Sequence, residues 1–158
     1  MSTIIVFTSS HGATEKNAKI LKEKLADENV TLCHLKKDKC DLTNFDKVII
    51  GCSIHAGSVQ GKIKKFCRSH TAELTIKQLG IFITCMEEGE EANQYFEKNF
   101  PNNLLEHAKT TALFGGEFNF EKMNFFAKSI VKKITGYKET VSRLDENKIA
   151  EFAKNFEA

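Results

Sequence analysis

TIIVFTSSHGATEKNA, residues Thr3–Ala18, is the stretch that decides the fold of this 158-residue chain. A β-branched and aromatic run, Thr3–Phe7, reads as a strand. It ends in small and hydroxylated residues, and a helix-favouring segment follows at once. A strand feeding a helix through such a loop aims hydroxyls and backbone N–H groups at one point, at the positive end of the helix, which suits an anion and above all phosphate. No Lys-Ser/Thr follows a glycine run, so the loop is not a nucleoside-triphosphate P-loop. The G-x-G-x-x-G dinucleotide pattern is absent as well. The plainer reading is a strand–helix turn, with Thr14 as a capping residue and Gly12 as a turn former.

Outward from this stretch, strand and helix patterns alternate. A first helix is expected over about Ala13–Asp27, with Ala18, Leu21 and Leu25 at helical spacing. Val30–Leu35 reads as a second strand, and the Lys-Lys-Asp-Lys stretch at 36–39 as a solvated connection. Lys47–Cys52 (KVIIGC) is a near-continuous apolar run, which suits a central parallel strand buried on both faces. A loop of small residues, Gly51–Ser58, leads to a helix over Lys62–His70. Gln78–Met86 is a fourth strand, followed by an acidic run (Glu87, Glu88, Glu90, Glu91) and a helix over about Ala92–Phe100 that Pro101 stops. Leu104–Ala108 forms a short turn, Thr110–Gly115 a fifth strand and Asp145–Phe156 the last helix. The spacing implies one α/β domain over residues 1–158 with a five-stranded parallel sheet, and right-handed crossovers give 2-1-3-4-5 as the simplest strand order.

Composition narrows the function classes. Hydrophobic content of 41% and charged content of 28% fit a soluble globular protein. A net charge of +2, with no basic patch interleaved with aromatics, argues against nucleic acid as a partner. No apolar stretch reaches the roughly 20 residues that span a bilayer, and no leader pattern is visible at the N-terminus, so a cytoplasmic location is expected. Five scattered cysteines with no C-x-x-C pair read as free thiols in a reducing compartment, not as disulfides or a zinc site. Among them, Cys52 and Cys85 read as buried small hydrophobes near strand ends.

The loop Ser9-Ser10-His11-Gly12-Ala13-Thr14-Glu15 resembles the FMN-phosphate loop of flavodoxins: a Ser/Thr cluster, then Gly, any residue, Thr and often Glu. Flavodoxin is itself the reference example of the 2-1-3-4-5 order, with FMN at the crevice between strands one and three. The stretch VIIGCSIHAG (48–57) is similar to bacterial flavodoxin-type protoporphyrinogen dehydrogenases, and so is FGGEFNFEKMNFFAKSIVKKITG (114–136). The resemblance covers nearly the whole chain. It implies a flavodoxin-like three-layer sandwich that binds FMN and carries electrons between partners. The alternative it raises is an FMN- and quinone-dependent oxidoreductase of the protoporphyrinogen dehydrogenase type. It also implies the binding residues. Thr8, Ser9, Ser10, His11, Gly12, Ala13 and Thr14 would take the phosphate. Ser53, Ile54, His55, Ala56 and Gly57, with Thr84, Cys85, Met86 and Gly89, would flank the ring. Gly57, or the Ala56–Gly57 peptide, would face the ring's N5.

The chain departs from that pattern in three respects. It is slightly basic where flavodoxins are acidic. Its ring loops have no Trp or Tyr, which leaves Met86, His55 or Ile54 for ring contacts. His55 stands where the protoporphyrinogen dehydrogenases tend to have Arg. The acidic run reads either as helix N-terminal chemistry or as negative charge that lowers the flavin potential. No catalytic residue and no metal site is singled out. The expected partners are a redox protein or quinone. In segment 118–134, Phe120, Met123, Phe126, Ile130, Val131 and Ile134 recur at helical spacing beside Lys122, Lys128, Lys132 and Lys133. This basic amphipathic helix is expected either to pack on the sheet or to make peripheral contact with a membrane or partner.

Overall fold

The computed structural model describes residues 1–55, 57–118, 124–136 and 141–158. Strands β1 (Thr3–Phe7), β2 (Val30–His34), β3 (Lys47–His55), β5 (Gln78–Cys85) and β6 (Thr110–Gly115) are parallel and lie in the order β2-β1-β3-β5-β6. That is the expected 2-1-3-4-5 order, with one addition. The short strand β4 (Ser58–Val59) folds back antiparallel on the end of β3, pairing Ile54 with Val59 and His55 with Ser58. Residues 53–55, expected in a loop, therefore extend β3 past the expected strand Lys47–Cys52. Two causes are visible. Ile54 and Val59 form a β-branched cross-strand pair, and the Gln60 side-chain carbonyl accepts from the Ser53 backbone N–H at 3.1 Å.

Side chains alternate across the sheet and build a core on each face. On one face Ile4, Val6, Val48, Ile50, Cys52, Ile81 and Ile83 meet residues of α2 (Gly61–Ser69), α3 (Thr71–Leu74), α4 (Glu90–Asn99) and α5 (Asn102–His107). On the other, Ile5, Phe7, Ile49, Phe82 and Phe114 meet α1 (Ala13–Lys24) and α7 (Glu146–Glu157). The second face is aromatic. Phe82 stacks on Phe114 with ring centroids 4.6 Å apart, and Phe152 of α7 meets Phe114 edge-on at 5.4 Å. Gly51 makes room for this layer, since a Cβ there would lie 2.3 Å from Phe82 Cζ. At the start of α7, the Asp145 carboxylate accepts from the backbone N–H of Asn147 at 2.9 Å and caps the helix.

Two expectations are corrected. Cys33, at the end of β2, and Cys40 form a disulfide with Cα atoms 5.9 Å apart. The turn after β2 folds tightly enough to bring them into range, although a six-residue gap gives no such signal in sequence. Cys52, Cys67 and Cys85 are free and buried, as buried small hydrophobes should be. The amphipathic segment forms helix α6 (Phe125–Thr135), while Phe118 belongs to β7 (Glu117–Phe118), which pairs antiparallel with β8 (Val141–Ser142). Phe120, Lys122 and Met123 lie outside the described residues. Phe125, Phe126 and Ile130 of α6 are exposed.

Phe152 is 1% exposed and touches three other rings. Phe152→Ala is expected to cost about 3–5 kcal/mol. Urea unfolding followed by circular dichroism should show a lower midpoint with the native spectrum retained.

Candidate functional site

The loop after β1 is organised by its own first hydroxyl. Ser9 Oγ accepts from the backbone N–H of Gly12 at 3.1 Å and of Glu15 at 3.4 Å, and so caps α1 from outside the helix. Gly12 itself sits in the left-handed region at φ 94°, which a residue with a Cβ rarely adopts. Thr8 and Thr14 are buried. The Thr8 hydroxyl and His11 Nδ1 have no hydrogen-bond partner among the described residues. A buried polar atom left unpaired costs about 1–3 kcal/mol, so the root of the loop keeps hydrogen-bonding capacity that the rest of the chain does not use.

Neighbouring loops converge on this one. The rings of His11 and His55 lie 6.2 Å apart and nearly perpendicular, which joins the β1 loop to the end of β3. The Gln60 amide donates to Ser53 Oγ at 2.6 Å, and Ser53 Oγ lies 3.1 Å from His55 Nε2. With the amide donating to Ser53, the hydroxyl proton is free to point at His55 Nε2, an arrangement that suits a neutral imidazole. From the β2 side, Lys36 Nζ donates to Ser10 Oγ at 2.9 Å, so the 36–39 stretch, exposed as expected of a solvated connection, also touches the loop. From the β5 side, Asn17 of α1 donates to Thr84 Oγ1 at 2.9 Å and to the Gly115 carbonyl at 3.3 Å.

The other expected site residues fall as follows. Gly57 closes the β3–β4 hairpin at φ 77° with open space around it, and Ala56 lies outside the described residues. Ile54 is half-buried and packs against the first core. Cys85 is buried with its thiol toward the Glu87 carbonyl at 3.3 Å. Met86 is half-buried, and its carbonyl accepts from Arg143 at 3.2 Å. Gly89, at φ 87°, precedes α4. Glu90 and Glu91 occupy the first turn of that helix, where carboxylates favour the dipole, and Glu88 pairs with Lys148 at 3.7 Å. Lys36, Asn17, Gln60 and Arg143 were not foreseen. Each acts across a sequence gap, as a single polar side chain in no motif.

Electrostatics separate the groups that titrate. Partial burial, and then the Lys36 charge, lower the His11 pKa. The pKa of His55, which lies beside Ser53, Gln60 and His11, is lowered by desolvation first and by the His11 and Lys36 charges after it. Burial pushes the Cys85 thiol up to about 11 and the Cys67 thiol to about 12, so both stay protonated at neutral pH. The site therefore holds hydroxyls, backbone N–H groups, neutral imidazoles and one lysine, a donor set suited to a phosphate monoester.

Residues 4–145 match the family model for the flavodoxin domain, and the chain belongs to that family. It is a flavodoxin-like, FMN-binding redox protein. A curated relative, protoporphyrinogen IX dehydrogenase [quinone] from Leishmania major, is 21% identical over 145 residues, covering 84% of this chain. The chain spans 63% of that relative's length. Among solved structures, oxidised Flavodoxin 1 from Bacillus cereus superposes with a TM-score of 0.59 at 14% identity, covering 99% of this chain and 97% of its own. Rubredoxin:oxygen oxidoreductase from Desulfovibrio gigas superposes with a TM-score of 0.55 at 18% identity, covering 99% of this chain and 37% of its own. The family's cofactor fits the loop after β1, which retains an unpartnered buried hydroxyl and contains no carboxylate that would repel a phosphate between Thr8 and Thr14.

Because folding lowers the pKa of His11 and His55, the folded state favours their neutral forms. Their contribution to stability is complete above the ordinary histidine value of 6.5 and is lost as the pH falls below it. NMR titration should place both midpoints below 6.5. A His11→Gln, His55→Gln double variant should lose stability less steeply than the parent in urea melts between pH 7 and pH 5.

Proposed function

We propose that FMN binds with its phosphate in the loop Thr8–Thr14 and its ring between the β3–β4 hairpin and the β5–α4 connection. Held there by the chain's residues, FMN would supply electron exchange with a redox protein partner or a quinone. The observation that carries this reading is the orphaned Thr8 hydroxyl in a loop already ordered by Ser9 and joined to its neighbours by His11, His55 and Lys36. Ser9 fixes the loop. Ser10, Thr14 and the N-terminal amides of α1 donate to phosphate oxygens. His55 and Met86 supply the ring contacts that Trp and Tyr make elsewhere in the family, and Gly57 presents backbone to the ring edge. When bound, FMN supplies the capacity to accept and release electrons one or two at a time. The chain's residues hold it, keep water from part of it and, through neutral His11 and His55, add no fixed positive charge beside it.

Purified protein mixed with FMN is expected to turn yellow and to quench flavin fluorescence. Material that stays colourless and takes up no FMN refutes the reading. Gly57→Val is expected to keep the fold and to bring the two one-electron potentials of the bound flavin closer together. A redox titration with unchanged potentials would remove Gly57 from the role.

A second reading is favoured by α6. Exposed Phe125, Phe126 and Ile130 lie on a helix that also carries Lys128, Lys132 and Lys133. With the Leishmania major relative, this supports a quinone-linked oxidoreductase of the protoporphyrinogen dehydrogenase type that meets the membrane surface through α6. Flotation with anionic liposomes at low salt should carry the protein upward, and Phe125→Ser with Phe126→Ser should abolish this. Oxidation of protoporphyrinogen with a quinone acceptor separates this enzyme from a carrier, which reduces partners but turns over no small substrate.

A further inference from the structure

Beyond hydroxyls and amides, the loop has a cation brought from another strand. We propose that Lys36 is the positive arm of the phosphate site and that the Cys33–Cys40 disulfide holds the turn that presents it. The inference rests on the reading that FMN phosphate occupies the loop after β1.

The turn is ordered at every step. The Leu35 N–H donates to the Phe7 carbonyl at 2.9 Å, which extends the β1–β2 pairing one residue past β2. The His34 carbonyl accepts from Lys37 at 2.9 Å and from Asp38 at 2.8 Å, and the Asp38 carboxylate accepts from the His34 N–H at 3.1 Å. The Lys36 N–H donates to His34 Nδ1 at 3.3 Å, and the His34 ring lies 4.9 Å from that of Phe7. The disulfide closes the turn at its base. Lys36 is thereby carried over the loop, with Nζ on Ser10 Oγ.

Its charge is uncommitted. The other lysines near the site are engaged elsewhere, Lys16 with Glu117 at 2.8 Å and Lys19 with Glu15 at 3.4 Å. Among the described residues no carboxylate forms an ion pair with Lys36. An ammonium has three donors, and Ser10 takes one. The others can reach an oxygen of a dianion held by the same hydroxyl. Such a cation distinguishes a flavin with a phosphate from one without.

The test compares FMN with riboflavin by fluorescence quenching at low salt. Lys36→Met is expected to weaken FMN binding about tenfold, as the loss of one charge-assisted hydrogen bond implies. Riboflavin binding should be unchanged, and FMN binding by the variant should depend less on salt. Lys36→Arg should stay near the parent. Cys33→Ser with Cys40→Ser should weaken FMN binding in the parent but not further in Lys36→Met. FMN binding by Lys36→Met equal to the parent's, or an equal loss for FMN and riboflavin, overturns the proposal. An unchanged FMN affinity in the cysteine variant overturns the role of the disulfide. A parent protein that binds no FMN refutes the underlying reading itself, a result distinct from binding that ignores Lys36.

Discussion

Parallel pairing of β1 with β3, in the register that sets Phe7 beside Gly51, is the constraint on which the rest of this structure depends. Parallel strands all leave the sheet at the same edge, and the chain must cross back each time, through helices after β1, β3 and β5 and through an irregular segment after β2. The loops after β1, β2, β3 and β5 are thus forced to one end of the molecule. That end lies where the strand order reverses, beside β1 and β3, which is where ligands bind in open α/β sheets. The register in turn depends on burial. β1 is covered on both faces, and a slip of one residue would exchange Ile4 and Val6 for Ile5 and Phe7 between the two cores.

Within that frame the site is built from neutral donors with one lysine at its rim. Desolvation and the Lys36 charge both act against protonation of His11 and His55, so the local field is set by one cation instead of several. The Ser53–Gln60 pair shows how the short strand β4 serves the site. Folding back on β3, it brings Gln60 against the Ser53 backbone and hydroxyl and so orients His55. The acidic run divides by position. Glu90 and Glu91 lie in the first turn of α4, where the helix dipole explains them, and Glu88 is drawn toward Lys148.

Cysteine usage illustrates the limit of counting. Three thiols are buried apolar filler with raised pKa values, as expected of residues on central strands and covering helices. The other two meet because a hydrogen-bonded turn brings their backbones together, and spacing alone carries no trace of it. Likewise α6 has the periodicity of a packed helix, yet Phe125 and Phe126 are open to solvent. Periodicity reports that a helix has an apolar face, not what covers it.

The sequence by itself determined the order and type of the five parallel strands and of the helices that α1, α2, α4 and α7 form. Apolar runs of strand length and helical spacing in Ala18, Leu21 and Leu25 are local signals, each decided by residues within a turn or two of one another. It also carried the expectation of a phosphate loop, because hydroxyls, a glycine and a helix start are contiguous between Thr8 and Thr14. Only the tertiary structure decided which side chains from elsewhere join the candidate site. Lys36 bonds to Ser10 of the loop itself, Asn17, Gln60 and Arg143 bond to Thr84, Ser53 and Met86 of the neighbouring segments, and Cys33 finds Cys40 through a turn. Such contacts follow from how strands stack and loops close, and nothing in the spacing of neighbouring residues encodes them.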